Sequence, residues 1–399
     1  MLMKRTEMSE YLPEEVIFQI LLRLPVKSLL KFTCVCKLWN SIIRTPHFIS
    51  NQIHTTFSSN KHHRFIFLLH SYKFKYEFSM HFDNKDFDQY LPVQPLFNQA
   101  DACDVVGSSN GLVCLFYVYK MNINFNGGIC KFVIWNPSIR KYLLLPETSF
   151  PLLASNYISN QSKLLGFGFD SRFNDYKLFV AQYSTSTIDV VLYSLNSNTW
   201  KKIANVPPTS YRNHICCTCR STFVNGKFYW HPYETSKKLV LVFDLRDEMF
   251  GEIILPAQCL ENHRWNFQIK AFGESSVAII IRNNLYENDI WVMKEYDSGE
   301  WMKLARVGKR WRGFSNVLEF RDNGEILAHF CRGQRLASYN LNGRIKNLLA
   351  LSEEKYGRPP FAYRHVESLA LLDKAWSWSF SWTILISVAI WRGFNFNSF

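Results

Sequence analysis

Apolar residues recur at Leu12, Val16, Ile17, Ile20, Leu21 and Leu24, the three- or four-residue step that lines one face of a helix. Pro13 suits the first helical position because its missing N–H would have no partner there. Glu14 and Glu15 then lie where the positive helix end favours carboxylates. Pro25 steers Leu24 away from the α region. The spacing therefore predicts a helix of roughly a dozen residues from near Pro13 to Leu24. A second helix is expected where Leu29, Phe32, Val35, Cys36, Trp39 and Ile42 keep the same period, with Ser28 as its cap and Pro46 as its stop. Two or three helices totalling about forty residues bury little core per unit surface. Their remaining apolar face is expected to meet either another molecule or the rest of this chain.

After a linker at 51–63 the pattern changes to short apolar runs broken by Asn, Asp, Gly and Ser, the pattern of consecutive antiparallel strands. Arg64–Leu69, Gly111–Phe116, Lys131–Trp135 and Leu239–Phe243 are examples. A unit repeats: a strand, turn residues, then an aromatic or long side chain seven positions on. It occurs as Trp135 with Tyr142, Tyr193 with Trp200, Phe243 with Phe250, Lys294 with Trp301 and Tyr339 with Lys346. Periods near fifty belong to propeller blades of the kelch type, with a β-sandwich as the competing reading. Between these, runs led by small residues at Gly111, Gly166, Asn225 and Asn323 are expected as inner strands. Asn-Gly at 110, 225 and 323 marks three tight turns, because both residues tolerate positive φ.

Composition adds weight to this division. The 399 residues exceed one ordinary core, 47% hydrophobic content rules out a disordered chain, and the 16% aromatic share favours pleated, half-buried positions. Ten cysteines lie mostly within apolar runs, where a reduced thiol packs as a small hydrophobe. No apolar stretch precedes the acidic residues of MLMKRTEMSEYLPEE, so the expected setting is reducing, cytoplasmic or nuclear.

The particular residues say more than their periodicity. Leu12-Pro13-Glu14-Glu15-Val16, the run Ile20 to Phe32, Val35-Cys36-Lys37 and Trp39 closely resemble the F-box motif in its plant form, over residues 11 to 50. Gly107–Cys114, Trp135–Lys141, Asn174–Lys177, Asp289–Met293 and Val366–Leu369 resemble the plant F-box-associated β-propeller, including the S-locus F-box proteins, over about 64 to 372. The resemblance implies an α+β multidomain chain. Its parts are a three-helix F-box at 8–50, an all-β propeller of about six kelch-like blades at 64–373, and a hydrophobic tail at 374–399. It also implies docking of the F-box on a Skp-family adaptor and through it on a cullin and a RING subunit, while the propeller holds a protein destined for ubiquitination. The target would be a pistil ribonuclease for a true S-locus member. Carried over from the motif, the adaptor face comprises Leu12, Pro13, Ile17, Ile20, Leu21, Leu24, Pro25, Val35, Cys36 and Trp39, some of which must serve as internal core instead. No cofactor and no catalytic residue are implied.

Other constellations fail on context. Gly107-Ser108-Ser109-Asn110-Gly111 satisfies a nucleophile-elbow pattern, but a strand follows it where a helix is required. Gly166-Phe167-Gly168 lacks the third glycine of a dinucleotide loop. His214, Cys216, Cys217 and Cys219 have no distant second pair to complete a zinc site. The net charge of +13 is uneven, with ten Lys or Arg against three acids in residues 301–350. There Arg306, Lys309, Arg310, Trp311 and Arg312 interleave cation and aromatic as nucleic-acid surfaces do. Given the ligase resemblance, an acidic face of a protein substrate is their expected partner. The alternative is a nucleic-acid-binding or scaffold propeller whose helices are a dimerisation hairpin. Residues 375–391 are uncharged and at the lower limit for spanning a bilayer; a closing strand, an anchor and a plain extension are the competing readings, with membrane attachment the least expected.

Overall fold

The computed structural model describes residues 12–59, 64–72, 75–93, 102–120, 128–147, 163–183, 188–207, 218–231, 239–256, 267–282, 287–294, 298–307, 314–330, 335–341, 344–350 and 360–374. Four helices come first: α1 (Glu14–Leu22), α2 (Val26–Phe32), α3 (Lys37–Arg44) and α4 (Pro46–Ser59). Pro13 and Pro25 occupy the N-cap positions of α1 and α2, each with extended ψ near 145°, and their carbonyls accept the first helical N–H bonds. Pro25 thus starts a helix as well as ending one, and Ser28, expected as a cap, lies inside α2. The predicted second helix is in fact two. A turn at Thr33–Val35 separates them, and the Cys36 thiol caps α3 by accepting the Trp39 N–H at 3.4 Å.

Most of the stretch expected as a linker is helical too. Phe48, Ile49, Gln52 and Ile53 of α4 are buried at helical spacing, so packing overrides the absence of any strong propensity there. Pro46 opens this helix, where the missing N–H costs nothing.

Among the described residues the strands form six sheets, five antiparallel throughout and one with a single parallel addition. In chain order these begin with β1 (Arg64–Tyr72), β2 (Lys75–Phe82) and β3 (Gln89–Val93). The next sheet holds β4 (Ala102–Ser109), β5 (Leu112–Lys120), β6 (Gly128–Asn136) and β7 (Lys141–Leu144). Then come β8 (Lys163–Asp170), β9 (Asp175–Tyr183), β10 (Ile188–Ser194) and β11 (Thr199–Lys202), with β12 (Thr218–Arg220) running parallel to β8. The remainder are β13 (Thr222–Val224), β14 (Lys227–Trp230), β15 (Leu239–Asp244) and β16 (Met249–Ile254); β17 (Phe267–Phe272), β18 (Ser276–Arg282), β19 (Asn288–Met293) and β20 (Trp301–Val307); and β21 (Phe314–Phe320), β22 (Ile326–Phe330), β23 (Arg335–Tyr339) and β24 (Ile345–Ala350). The last strand, β25 (Phe361–Val366), returns to pair with β1 and closes the ring.

Strands β25, β4, β8, β13, β17 and β21 adjoin one another in cyclic order, so each is the inner strand of its blade. Of the runs expected as inner, only that of Gly166 is; those beginning at Gly111, Asn225 and Asn323 lead β5, β14 and β22, second in their sheets. The reason is that in each of these three blades the inner strand precedes the tight turn and the glycine follows it. Asn110–Gly111 and Asn225–Gly226 adopt positive φ at both residues, as expected for a tight hairpin. At the third site only Gly324 does, and its N–H bonds Arg321 O.

The fifty-residue repeat has a structural basis. Arg140, Asn198, Glu248 and Gly299 all take φ between 53° and 69° immediately before a fourth strand or one residue earlier. Trp200 and Trp301, the repeat's aromatics, donate their indole N–H to Pro146 O and Ile254 O, both at 3.0 Å, tying each fourth strand to the end of the preceding blade.

Candidate protein-docking surface

The helices turn one apolar side inward and leave another uncovered. Ile17, Leu21, Val26, Leu29, Ile42, Ile43, Phe48, Ile49 and Ile53 form the buried side. On the other, Leu12 is 56% exposed, Ile20 49% and Val35 60%, with Val16 and Leu38 also exposed. Among the carried-over residues, Leu12, Pro13, Ile20, Pro25, Val35 and Cys36 are exposed. Leu24 and Trp39 are half-buried against the helical core, and Ile17 and Leu21 belong to that core. Trp39 braces α2 against α3 by packing on Phe32 with ring centroids 5.1 Å apart. Val16 and Leu38 were missed, although the first was legible in the α1 period as one step from Ile20.

Exposed apolar side chains on a helical unit make it a candidate protein-contact surface. Cys34 and Cys36 sit beside it as exposed thiols, whereas Cys103 and Cys114 are buried in the propeller as expected. Burial pushes the Cys114 thiol pKa well up, so it stays protonated and apolar.

This surface is carried on a rigid seat. The helical core continues without interruption into Val106, Leu112, Cys114, Leu165, Phe167, Leu178 and Val191 of the β4 and β8 blades and into Leu369–Leu372. Polar contacts fix the seat. Ser50 Oγ donates to Asn174 Oδ1, Leu369 N–H to Gln52 Oε1, and Arg44 Nη1 to Leu372 O. From the propeller side, the Asn136 amide, fully buried, donates to Ser368 O and Ala370 O at 2.9 Å, while its oxygen accepts from Ser138 N and Ile139 N. Gly111 is required here: a Cβ would come within 2.6 Å of the Ser368 side chain and 2.7 Å of Val366 O. Tyr176, deeply buried, donates its hydroxyl to Asn110 O.

The basic segment divides. Lys309, Arg310, Trp311 and Arg312 lie outside the described residues. Arg306 forms a two-pronged pair with Asp289, Nε to Oδ1 at 2.7 Å and Nη2 to Oδ2 at 2.9 Å, and Lys303 also reaches Asp289 at 2.7 Å. Its guanidinium therefore braces β20 against β19 in its own blade, a cost that a sequence reading of cation–aromatic interleaving does not see. Gly107–Gly111 is a hairpin, as its context predicted. His214, Cys216, Cys217 and the 375–399 tail also lie outside the described residues; Cys219 falls on β12. Among the described residues no three His, Cys, Asp or Glu side chains gather as a metal site, and no helix is long and apolar enough to cross a membrane.

The family comparisons agree with this geometry. A family described as the F-box associated beta propeller domain matches residues 59–368, and the F-box domain matches residues 10–51. An F-box protein of Arabidopsis thaliana is 28% identical over 335 residues, covering 75% of this chain and 76% of the relative. An F-box/kelch-repeat protein of the same plant is 25% identical over 359 residues, covering 84% and 89%. Among solved structures, TolB from Acinetobacter baumannii is similar over 82% of this chain and 72% of its own, at 11% identity and a TM-score of 0.44.

Proposed function

Since the chain belongs to the F-box proteins that carry an F-box associated β-propeller domain, we propose that it is the substrate-recognition subunit of an SCF-type ubiquitin ligase. The helices dock a Skp-family adaptor, and through it a cullin and a RING subunit, while the propeller holds a protein target for ubiquitination. The observation that carries this reading is the exposed row Leu12, Val16 and Ile20 with Val35 and Leu38, on helices whose opposite side is already spent on their own core. Acceleration in such an assembly comes from holding a target near an activated ubiquitin, which raises effective concentration and asks for no acid, base or nucleophile in the receptor. The chain is thus a non-catalytic subunit that works in the cytoplasm or nucleus.

Engagement of Arg306 with Asp289 speaks against a nucleic-acid surface built on that residue. An S-locus role, with a pistil ribonuclease as target, rests on the sequence resemblance alone; affinity capture with the full chain tests it. The adaptor reading is tested by titrating a purified Skp-family adaptor onto the full chain and onto an Ile20→Lys, Val35→Asp variant. Binding at or below micromolar Kd by the parent, reduced at least about a hundredfold in the variant at unchanged melting temperature, is expected, because interface-centre apolar anchors each contribute about 2 kcal/mol or more. Equal binding by both overturns the assigned face.

A further inference from the structure

Four of the sequence runs that carry the propeller resemblance, widely separated along the chain, meet at one place. Asn136 and Lys141 come from the run Trp135–Lys141, Asn110 and Gly111 from Gly107–Cys114, Asn174 and Tyr176 from Asn174–Lys177, and Ser368 and Leu369 from Val366–Leu369. Ser368 and Leu369 belong to the strap Glu367–Lys374 that leaves β25 and passes between the helices and the β4 blade; Gly111, Asn136 and Lys141 lie against it, and Asn174 and Tyr176 join the same seat through Ser50 and Asn110. Its backbone is gripped from both sides. Leu369 N–H is taken by Gln52 of α4, Ser368 O and Ala370 O by Asn136. Leu372 O accepts from Arg44 of α3 and from Lys141 of β7 at once, both at 3.3 Å, and Lys141 also donates to Lys374 O.

Most of these grips are buried: Asn136 and Ser368 are fully covered, Gln52 is 3% exposed and Lys141 is buried, while Arg44 holds the strap from an exposed position. Burial lowers the Lys141 pKa, with the nearby Arg44 charge acting in the same direction and Asp373 opposing. Polar groups so deep are retained where they fix one arrangement, because any other leaves them unpaired.

We infer that the strap is a rigid coupling, with Gln52, Asn136 and Lys141 as positioning residues that hold the helical unit at one orientation to the propeller. That orientation is set by the strap, which arrives from the far end of the chain, and not by the covalent connection between α4 and β1. The coupling stands on its own geometry; its consequence, a fixed distance between adaptor and propeller-bound target, rests on the receptor reading above.

The two are separated by measuring shape and adaptor binding on the same proteins. Six Gly and Ser residues inserted after Ser59 should leave the small-angle scattering profile and the exchange protection of the Leu369 and Ala370 amides as in the parent, apart from the added loop. Gln52→Ala and Asn136→Ala should each lower that protection about tenfold or more, and together should enlarge the maximum dimension. Lys141→Arg, which keeps a donor, should stay close to the parent. Exchange in β17–β20 reports whether the propeller itself is intact, and Gln52→Ala, on the helical side, serves if Asn136→Ala does not fold. Expansion by the insertion alone, or unaltered protection in both Ala variants, overturns the coupling. Loss of adaptor binding by the parent would sink the receptor reading and leave the coupling standing.

Discussion

Ile20 and Leu21 are sequence neighbours with opposite duties, and no periodicity argument assigns them. Ile20 is half exposed and Leu21 is 1% exposed. Truncating Leu21 to Ala should cost about 2–5 kcal/mol by leaving a cavity, read as a lowered denaturant midpoint, whereas Ile20→Ala should stay within about 0.5 kcal/mol of the parent and act on partner binding instead. The motif named both without separating them. What sorted them was which side of α1 meets α4, information that depends on the unexpected length of α4. Another residue-scale effect was invisible in sequence. Burial pushes the pKa of His365, on the inner strand β25, down to about 3, so the folded state holds it neutral. The unfolded chain takes up a proton near pH 6.5 and the folded chain does not, so this contribution is complete above that pH. It drains away as pH falls towards 3, at about 1.4 kcal/mol per unit. Glu319, whose pKa burial raises, works in the opposite sense. Comparing denaturant stability between pH 7 and pH 5 in the parent and in His365→Gln isolates the histidine: the parent should lose stability and the variant should lose less.

Elements were more legible than residues. Alternation and turn chemistry located the strands, and the fifty-residue spacing of turn and aromatic anticipated a propeller, because four of the blades solve the same steric problem before their fourth strand. The order of strands within a blade was not legible, since Asn-Gly marks a hairpin without saying which arm faces the axis. Nor was α4, whose composition is ordinary and whose helix is held by contacts with both α1 and the strap. The indole ties are a property of the element. Trp301→Phe keeps an aromatic ring but removes the donor to the exposed Ile254 O, so it should cost about 0.5–1.5 kcal/mol, detected as a lower melting temperature, with loss of exchange protection concentrated in β16 and β20. Uniform loss across all blades would show that the tie does not act locally.

At the scale of the whole molecule, ring closure and the helical seat share one short stretch. β25 completes the first blade, Arg321 of the last blade is fully buried against Asp83 at 2.7 Å across the seam, and the strap follows within a few residues. A chain ending at Lys374 keeps β25 and the strap and should therefore unfold cooperatively. One ending at residue 359 should lose cooperative unfolding, as near-ultraviolet circular dichroism would report. If the two truncations behave alike, closure by β25 is not what holds the ring. Sequence reasoning offered the 375–391 tail as one candidate for a closing strand and did not name Phe361–Val366, because an apolar alternating run looks the same whether or not it has a partner.

Pairing of the first and last strands also orders events during synthesis. β1 leaves the ribosome roughly 290 residues before β25, an interval of about 15–60 s at ordinary elongation rates, and throughout it the first blade lacks its inner strand and presents a bare edge. The helices emerge earlier still, yet part of their core, Leu369–Leu372, comes last. A chain cut short before Leu369 would carry the helices without that part of their core, so helical unit and propeller are finished by the same few residues.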